Sequence, residues 1–341
     1  MLRRAEINGA APAPGRERRR LKDPAQARPL DWMLLGALVV ISGSAFVMIR
    51  EAVETIPPPA IASIRLWIGA GLMFAIMRAA GRRFPALIVR TEKGPRLHLA
   101  WAWMLSVSAI GYTIPFFIFP WAQQYVDSGL AGVYMAFMPI WTLGLAFLFA
   151  NEEVSPTKLA GFLLGFAGVL ILMGPDVIGG AARSSILAQL GLLVATFGYG
   201  VSAVIMRRMP RIRPRVFAAG AILGAAVFST PALFVTDLHI ERWTLPGVLS
   251  LIGLAVGPTG LAGLIIIIMI KRAGAGFMSL ANYLVPIWAI FMGALLFHER
   301  LEPRVFVALA VILFGVAISQ WRARNGAAVP SSAIAPDQTK I

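Results

Sequence analysis

Arg65 stands two helical turns inside an apolar run that opens at Pro57-Pro58-Pro59. A guanidinium at that depth is costly in an apolar setting and marks function or pairing by default. It can receive a carboxylate or phosphate bidentately, lock a gate, or snorkel back to a polar interface. Other apolar runs carry aromatic side chains with one polar handle each: Tyr112, Tyr134, Tyr199, and two Pro-Ile-Trp triplets, Pro139 to Trp141 and Pro286 to Trp288. Asn282 and Tyr283 precede the second triplet. These types recognise rather than react. An aromatic face with a single hydrogen-bonding atom can line a binding cavity, and a buried amide needs partners that a bridging helix or a bound solute would supply. The same side chains also suit plain bundle packing, and Pro139 and Pro286 fit a packing kink as well as a hinge.

Reactive chemistry has little to work with. There is no cysteine and only three histidines, His98, His239 and His298, so thiolate or histidine metal sites are not expected. No G-x-S-x-G, H-E-x-x-H, paired-carboxylate or Walker A motif occurs. The expectation is a protein that is not an enzyme, carries no cofactor and binds no nucleic acid. Glu152 and Glu299 each end an apolar run ahead of a proline, Pro156 and Pro303, where a carboxylate can cap the helix that follows.

The elements that must hold these residues are set by composition. Hydrophobic residues make up 58% of the 341 and charged residues 14%, far from a soluble domain's balance of about 45–50% and about 25%. The surplus needs lipid. Apolar runs near 32–49, 59–78, 99–121, 128–150, 157–174, 187–206, 216–235, 246–270, 276–297 and 304–321 predict ten membrane-spanning helices, each able to cross most of a hydrocarbon core of about 30 Å. The first run follows a basic stretch and reads as a retained helix rather than a signal peptide. Residues 1–30 and 323–341 read as disordered tails. With the N-terminus cytoplasmic, 25 of the 31 Lys and Arg fall on the cytoplasmic side, which predicts a bacterial-type inner (plasma) membrane protein with both termini inside. The net charge of +15 is then a topology signal.

The chain also resembles itself. Residues 128–171 align without gaps onto 275–318, 147 residues later, with ten identities in 44 positions. Pro139-Ile140-Trp141 falls on Pro286-Ile287-Trp288, Glu152 on Glu299, Pro156 on Pro303 and Gly168 on Gly315. Five spans separate the copies, so they must sit upside down relative to each other. The expected fold is an all-α integral membrane bundle of ten helices, two inverted five-helix repeats (31–175 and 185–322) around a central cavity. Such halves allow two near-equivalent states, each open to one side. Gly161, Gly165 and Gly168 have the spacing of close helix contact.

These residues resemble the EamA-type, ten-helix branch of the drug/metabolite transporter superfamily. The likeness covers about residues 32–321. It rests on Gly43-Ser44-Ala45-Phe46, Pro57-Pro58-Pro59 with Arg65, the repeated Pro, Trp and terminal Glu pattern, and the helix-five glycines. The tryptophan that opens the family's first motif is absent; Ile41 or Ser42 stands there. The resemblance implies a basket-like bundle working by alternating access, moving small organic solutes such as amino acids. Export is the expected direction, with Arg65, Tyr112, Tyr134, Trp141, Tyr199, Asn282, Tyr283 and Trp288 as substrate-binding candidates. A facilitator or channel, a receptor, and an intramembrane enzyme are the alternatives. The expected partners are a small-molecule substrate and the bilayer, with no oligomeric state implied.

Overall fold

A computed structural model describes residues 28–91, 94–150, 156–178, 183–210 and 212–326. Glu152 and most of both expected tails lie outside the described residues. Because the spans are apolar on every side, helix formation here is decided by where proline and polar caps allow a helix to start. α1 (Pro29–Val53), α2 (Pro58–Ala79) and α9 (Pro214–Val235) each open with proline in the first turn, where its missing N–H costs nothing. Between them come β1 (Ile88–Thr91), β2 (Gly94–Leu97), α3 (Leu99–Val107), α4 (Ile114–Ala122), α5 (Ser128–Met135), α6 (Met138–Ala150), α7 (Pro156–Ile178) and α8 (Arg183–Arg208). The chain ends in α10 (Leu245–Leu254), α11 (Ala262–Arg272), α12 (Ala275–Met278), α13 (Ala281–Phe297) and α14 (Pro303–Gly326).

Eight of the helical stretches are long and apolar enough to cross a membrane, and two shorter apolar ones, Ala281–Phe297 and Pro303–Ser319, follow them. Their outer faces are as apolar as the interior: Phe147, Leu148 and Phe149, Leu163 and Leu170, and Phe228 are exposed. A helix that is hydrophobic all round has no aqueous face to present, and its solvent is lipid. Two details depart from the sequence reading. The fold is not wholly α: the loop after α2 holds an antiparallel hairpin, Ile88 opposite Leu97 and Val89 opposite Arg96. Its first strand is rich in β-branched residues, and Gly94 supplies the positive φ its end requires. The last helix also runs to Gly326, past the expected start of the tail.

The spans pack in matched pairs. α2 lies along α9, and α7 along α14. α13 packs on α1 while α6 packs on α8. Glycines permit the closest of these approaches. A Cβ on Gly168 would meet Ile312 Cγ1 and the Ala308 carbonyl, and Gly161 abuts the Gly315 backbone, so these two glycines join α7 to α14. Gly165 instead faces Ile140 of α6.

Two spans are interrupted by a wide π turn: Ser108–Thr113 between α3 and α4, and Ala255–Leu261 between α10 and α11. Ser108 and Ala255 are 147 residues apart, the offset of the internal alignment. Each turn is closed by a threonine hydroxyl donating to the carbonyl five residues earlier: Thr113 to Ser108 and Thr259 to Leu254, both at 2.9 Å. The first packs on α9 and the second on α2. Such π turns are frequent at functional sites.

Candidate functional site

Arg65 is the residue that the fold invests in most. It lies seven residues past the start of α2, roughly 10 Å along the axis, and is buried. Its Nε donates to Thr259 Oγ1 at 2.6 Å, and its Cζ lies 4.1 Å over the Phe116 ring of α4. The stack on Phe116 holds the guanidinium plane, and Thr259 consumes the Nε side. Gly69, one turn on, admits the π turn closely, since a Cβ there would fall 2.7 Å from Thr259 Cγ2. What remains is the far edge of the fork. Among the described residues its two terminal nitrogens have no hydrogen-bond partner, and they are not among the fully buried unpaired atoms.

Tyr112 and Tyr199 complete this group. Tyr112 sits in the first π turn, 147 residues before Thr259, with its ring 5.6 Å from Phe116. Tyr199 of α8 packs against Phe119 at 6.2 Å, one turn along α4 from the Phe116 that carries Arg65. Among the described residues neither phenol hydroxyl has a hydrogen-bond partner, and neither is among the fully buried unpaired atoms. A cation and two phenols are thus gathered around Phe116 and Phe119 of α4. The arrangement can bind an anion. It holds no nucleophile and no acid–base pair.

The tryptophans lie elsewhere. Trp288 packs on Gly43, where a Cβ would fall 2.6 Å from its Cδ1, and its Nε1 donates to Ser44 Oγ at 2.9 Å. Trp141 packs on Gly200 of α8 in the same manner, with Phe137 at 5.2 Å and Phe197 at 5.1 Å. Val201 follows Gly200 where Ser44 follows Gly43, so no hydroxyl is offered, and Trp141 Nε1 is buried without a partner. Asn282 has an unpaired but accessible amide, next to a carbonyl freed by Pro286. Tyr283 packs at the edge of the main core cluster.

Tyr134 is fully buried, and its hydroxyl donates to Gln189 Oε1 at 2.8 Å, bracing α5 against α8. Pro139 is not interior to a helix: the chain breaks at Ala136 and Phe137, and Pro139 is the second residue of α6. Pro286 does lie inside α13, after a break at Ser279 and Leu280. The sequence reading missed Phe116 and Thr259, the two neighbours that orient Arg65. Extending the 147-residue offset beyond the aligned segments would place Thr259 opposite Tyr112. A groove of about 350 Å³ between the start of α2 and α4 is lined by Pro58, Pro59, Phe117, Ile118, Trp121 and Gln124, and touches none of these candidates.

Comparison with known proteins gives this geometry a lineage. The EamA-like transporter family matches the chain twice, over residues 30–174 and 186–321. The chain belongs to the EamA-like transporter family. It is a membrane protein of the drug/metabolite transporter superfamily. Among the family's members it is 29% identical over 293 residues to the inner membrane transporter YedA of Escherichia coli, covering 83% of this chain and 88% of that one. It is 23% identical over 298 residues to the aromatic amino acid exporter YddG of Ancylobacter novellus, covering 86% and 98%. A crystal structure superposes with a TM-score of 0.60 and 19% identity, over 88% of this chain and 99% of that chain, and shares the fold.

Proposed function

We propose that this EamA-family protein is a secondary transporter that exports small organic metabolites such as amino acids. In this reading two inverted five-helix halves, residues 31–175 and 185–322, alternate access to a site between them in the inner membrane, with both termini cytoplasmic. The observation that carries the reading is Arg65, a buried cation of the first half held by the π turn of the second, with its terminal nitrogens unspent. A group tied to both halves senses their relative position, which a transport site must do. The exchange-invariant packing supports inverted halves: replacing each element by its counterpart maps α13 on α1 to α6 on α8, and the first π turn on α9 to the second on α2. An aromatic amino acid exporter among the relatives supports the solute class.

Asn282 and Trp288 are assigned to the solute path, with Pro139 and Pro286 as flexing points beside the helix breaks. Purified protein in liposomes should show saturable counterflow of a labelled amino acid. Asn282→Ala and Trp288→Ala should each cut that flux while eluting as folded protein. Normal flux in both variants would remove these two residues from the path, and silence across amino acids, nucleosides and sugars would count against transport itself.

A further inference from the structure

Arg65 has no counter-ion among the described residues. Every other Lys and Arg of the described helices lies within about a turn of a helix end, and so do the helical Asp and Glu. Arg65 makes no ion pair, and its one side-chain hydrogen bond goes to the neutral Thr259. The Phe116 ring face offsets part of the charge, but a stacked ring cannot accept hydrogen bonds from the guanidinium edge. The fork is stacked on Phe116, its Nε is spent on Thr259, and Nη1 and Nη2 make no hydrogen bond to any described residue.

From this we infer the substrate class and the mode of transport, resting on the transporter reading above. Arg65 takes a single carboxylate of the solute end-on through Nη1 and Nη2, and the protein is an exchanger of such solutes. One cation matches one negative charge; a phosphate dianion would require a second cation, and none lies beside Arg65 among the described residues. Carboxylate binding neutralises the buried charge in a low-dielectric setting where an unpaired ion is costly. The loaded protein therefore changes its facing readily. The empty protein must do so with its guanidinium unneutralised, and is slow. Solute on the far side speeds the return.

The test uses the full chain, unmodified, in liposomes, with labelled L-amino acids and the same amino acids as primary amides. The amides keep the side chain and amine but lack the carboxylate. Amides should move about a hundredfold more slowly, and efflux into solute-free buffer should be about tenfold slower than counterflow or less. Arg65→Gln should erase the difference between acid and amide. Should that variant fail to fold, the comparison on the unmodified protein decides alone. Equal rates for acid and amide would overturn the inference while leaving transport standing. No flux of any solute would remove the transporter reading and this inference with it. Chloride replaced by methanesulfonate, which has no carboxylate, gives a third arm: if chloride alone on the far side restores the full rate, the seat belongs to an inorganic anion and the carboxylate assignment falls.

Discussion

The Glu299 carboxylate caps a helix that begins 171 residues earlier, accepting from the Ser128 amide at 2.8 Å and the Ser128 hydroxyl at 2.7 Å. Its second oxygen accepts from the Gly129 amide at 2.9 Å. The expectation that Glu299 caps the helix after it, α14, is thereby corrected: the start of α5 is nearer in space than in sequence. Asp127 occupies the N-cap position of α5 yet makes no side-chain cap, because Glu299 has taken the amides it would have used. Charge at a helix N-terminus is favourable, and here it ties the end of α13 to α5.

Removing that carboxylate should be costly. Glu299→Ala leaves the Ser128 and Gly129 amides without their acceptor and is expected to lower stability by about 1–3 kcal/mol. Thermal unfolding in detergent reads this directly. An unchanged midpoint would mean water replaces the cap without loss.

Asp127 gives a pH dependence. Burial, and then the neighbouring Glu299 charge, push its carboxyl above the ordinary value, with Arg50 pulling the other way. A folded value above the unfolded one means that the folded protein holds the proton more tightly. The stabilisation is therefore full below about pH 4 and fades as pH rises through the elevated value. At pH 7 the ionised Asp127 is a small burden. Asp127→Asn should raise the unfolding midpoint there by no more than about 2 °C, since the residue is solvent-accessible, and the gap should close in acid. A gap that widens in acid would contradict this.

Thr259 can be separated from Arg65 by a methyl-for-hydroxyl exchange. Thr259→Val keeps the shape but takes the acceptor from Arg65 Nε and the donor from the Leu254 carbonyl. The expected loss is about 2–3 kcal/mol, more than a single neutral hydrogen bond, because a charged buried donor is stranded. Chemical or thermal unfolding of the variant against the parent provides the measurement.

Gly43 has no room for a methyl group. Its Cβ would fall 2.6 Å from Trp288 Cδ1 and 3.0 Å from Trp288 Cβ, so Gly43→Ala must displace the indole and with it the bond to Ser44. A loss of about 1–3 kcal/mol is expected, together with a shift in tryptophan emission. An unshifted spectrum with unchanged stability would show that α1 and α13 can part at no cost.

Tyr134 was a candidate for the solute path by residue type. Its buried hydroxyl is committed to Gln189, so Tyr134→Phe should cost about 1 kcal/mol of stability and leave solute affinity as it was. A change in affinity without a change in stability would return Tyr134 to the path.

By itself, the amino-acid sequence determined the solvent and most of the element limits. Composition demands lipid, and prolines at 58, 156, 214 and 303 open helices wherever they stand because their missing N–H is free only there. The 147-residue offset was equally legible over residues 128–171 and 275–318. Contacts between distant spans were not. Which polar group Arg65 meets, which helix Glu299 caps, and whether an indole finds a hydroxyl depend on neighbours 171 to 244 residues away. Only the packing of the spans brings these together, and in an apolar chain hydrophobic patterning cannot encode that pairing, because lipid and protein interior look alike to it.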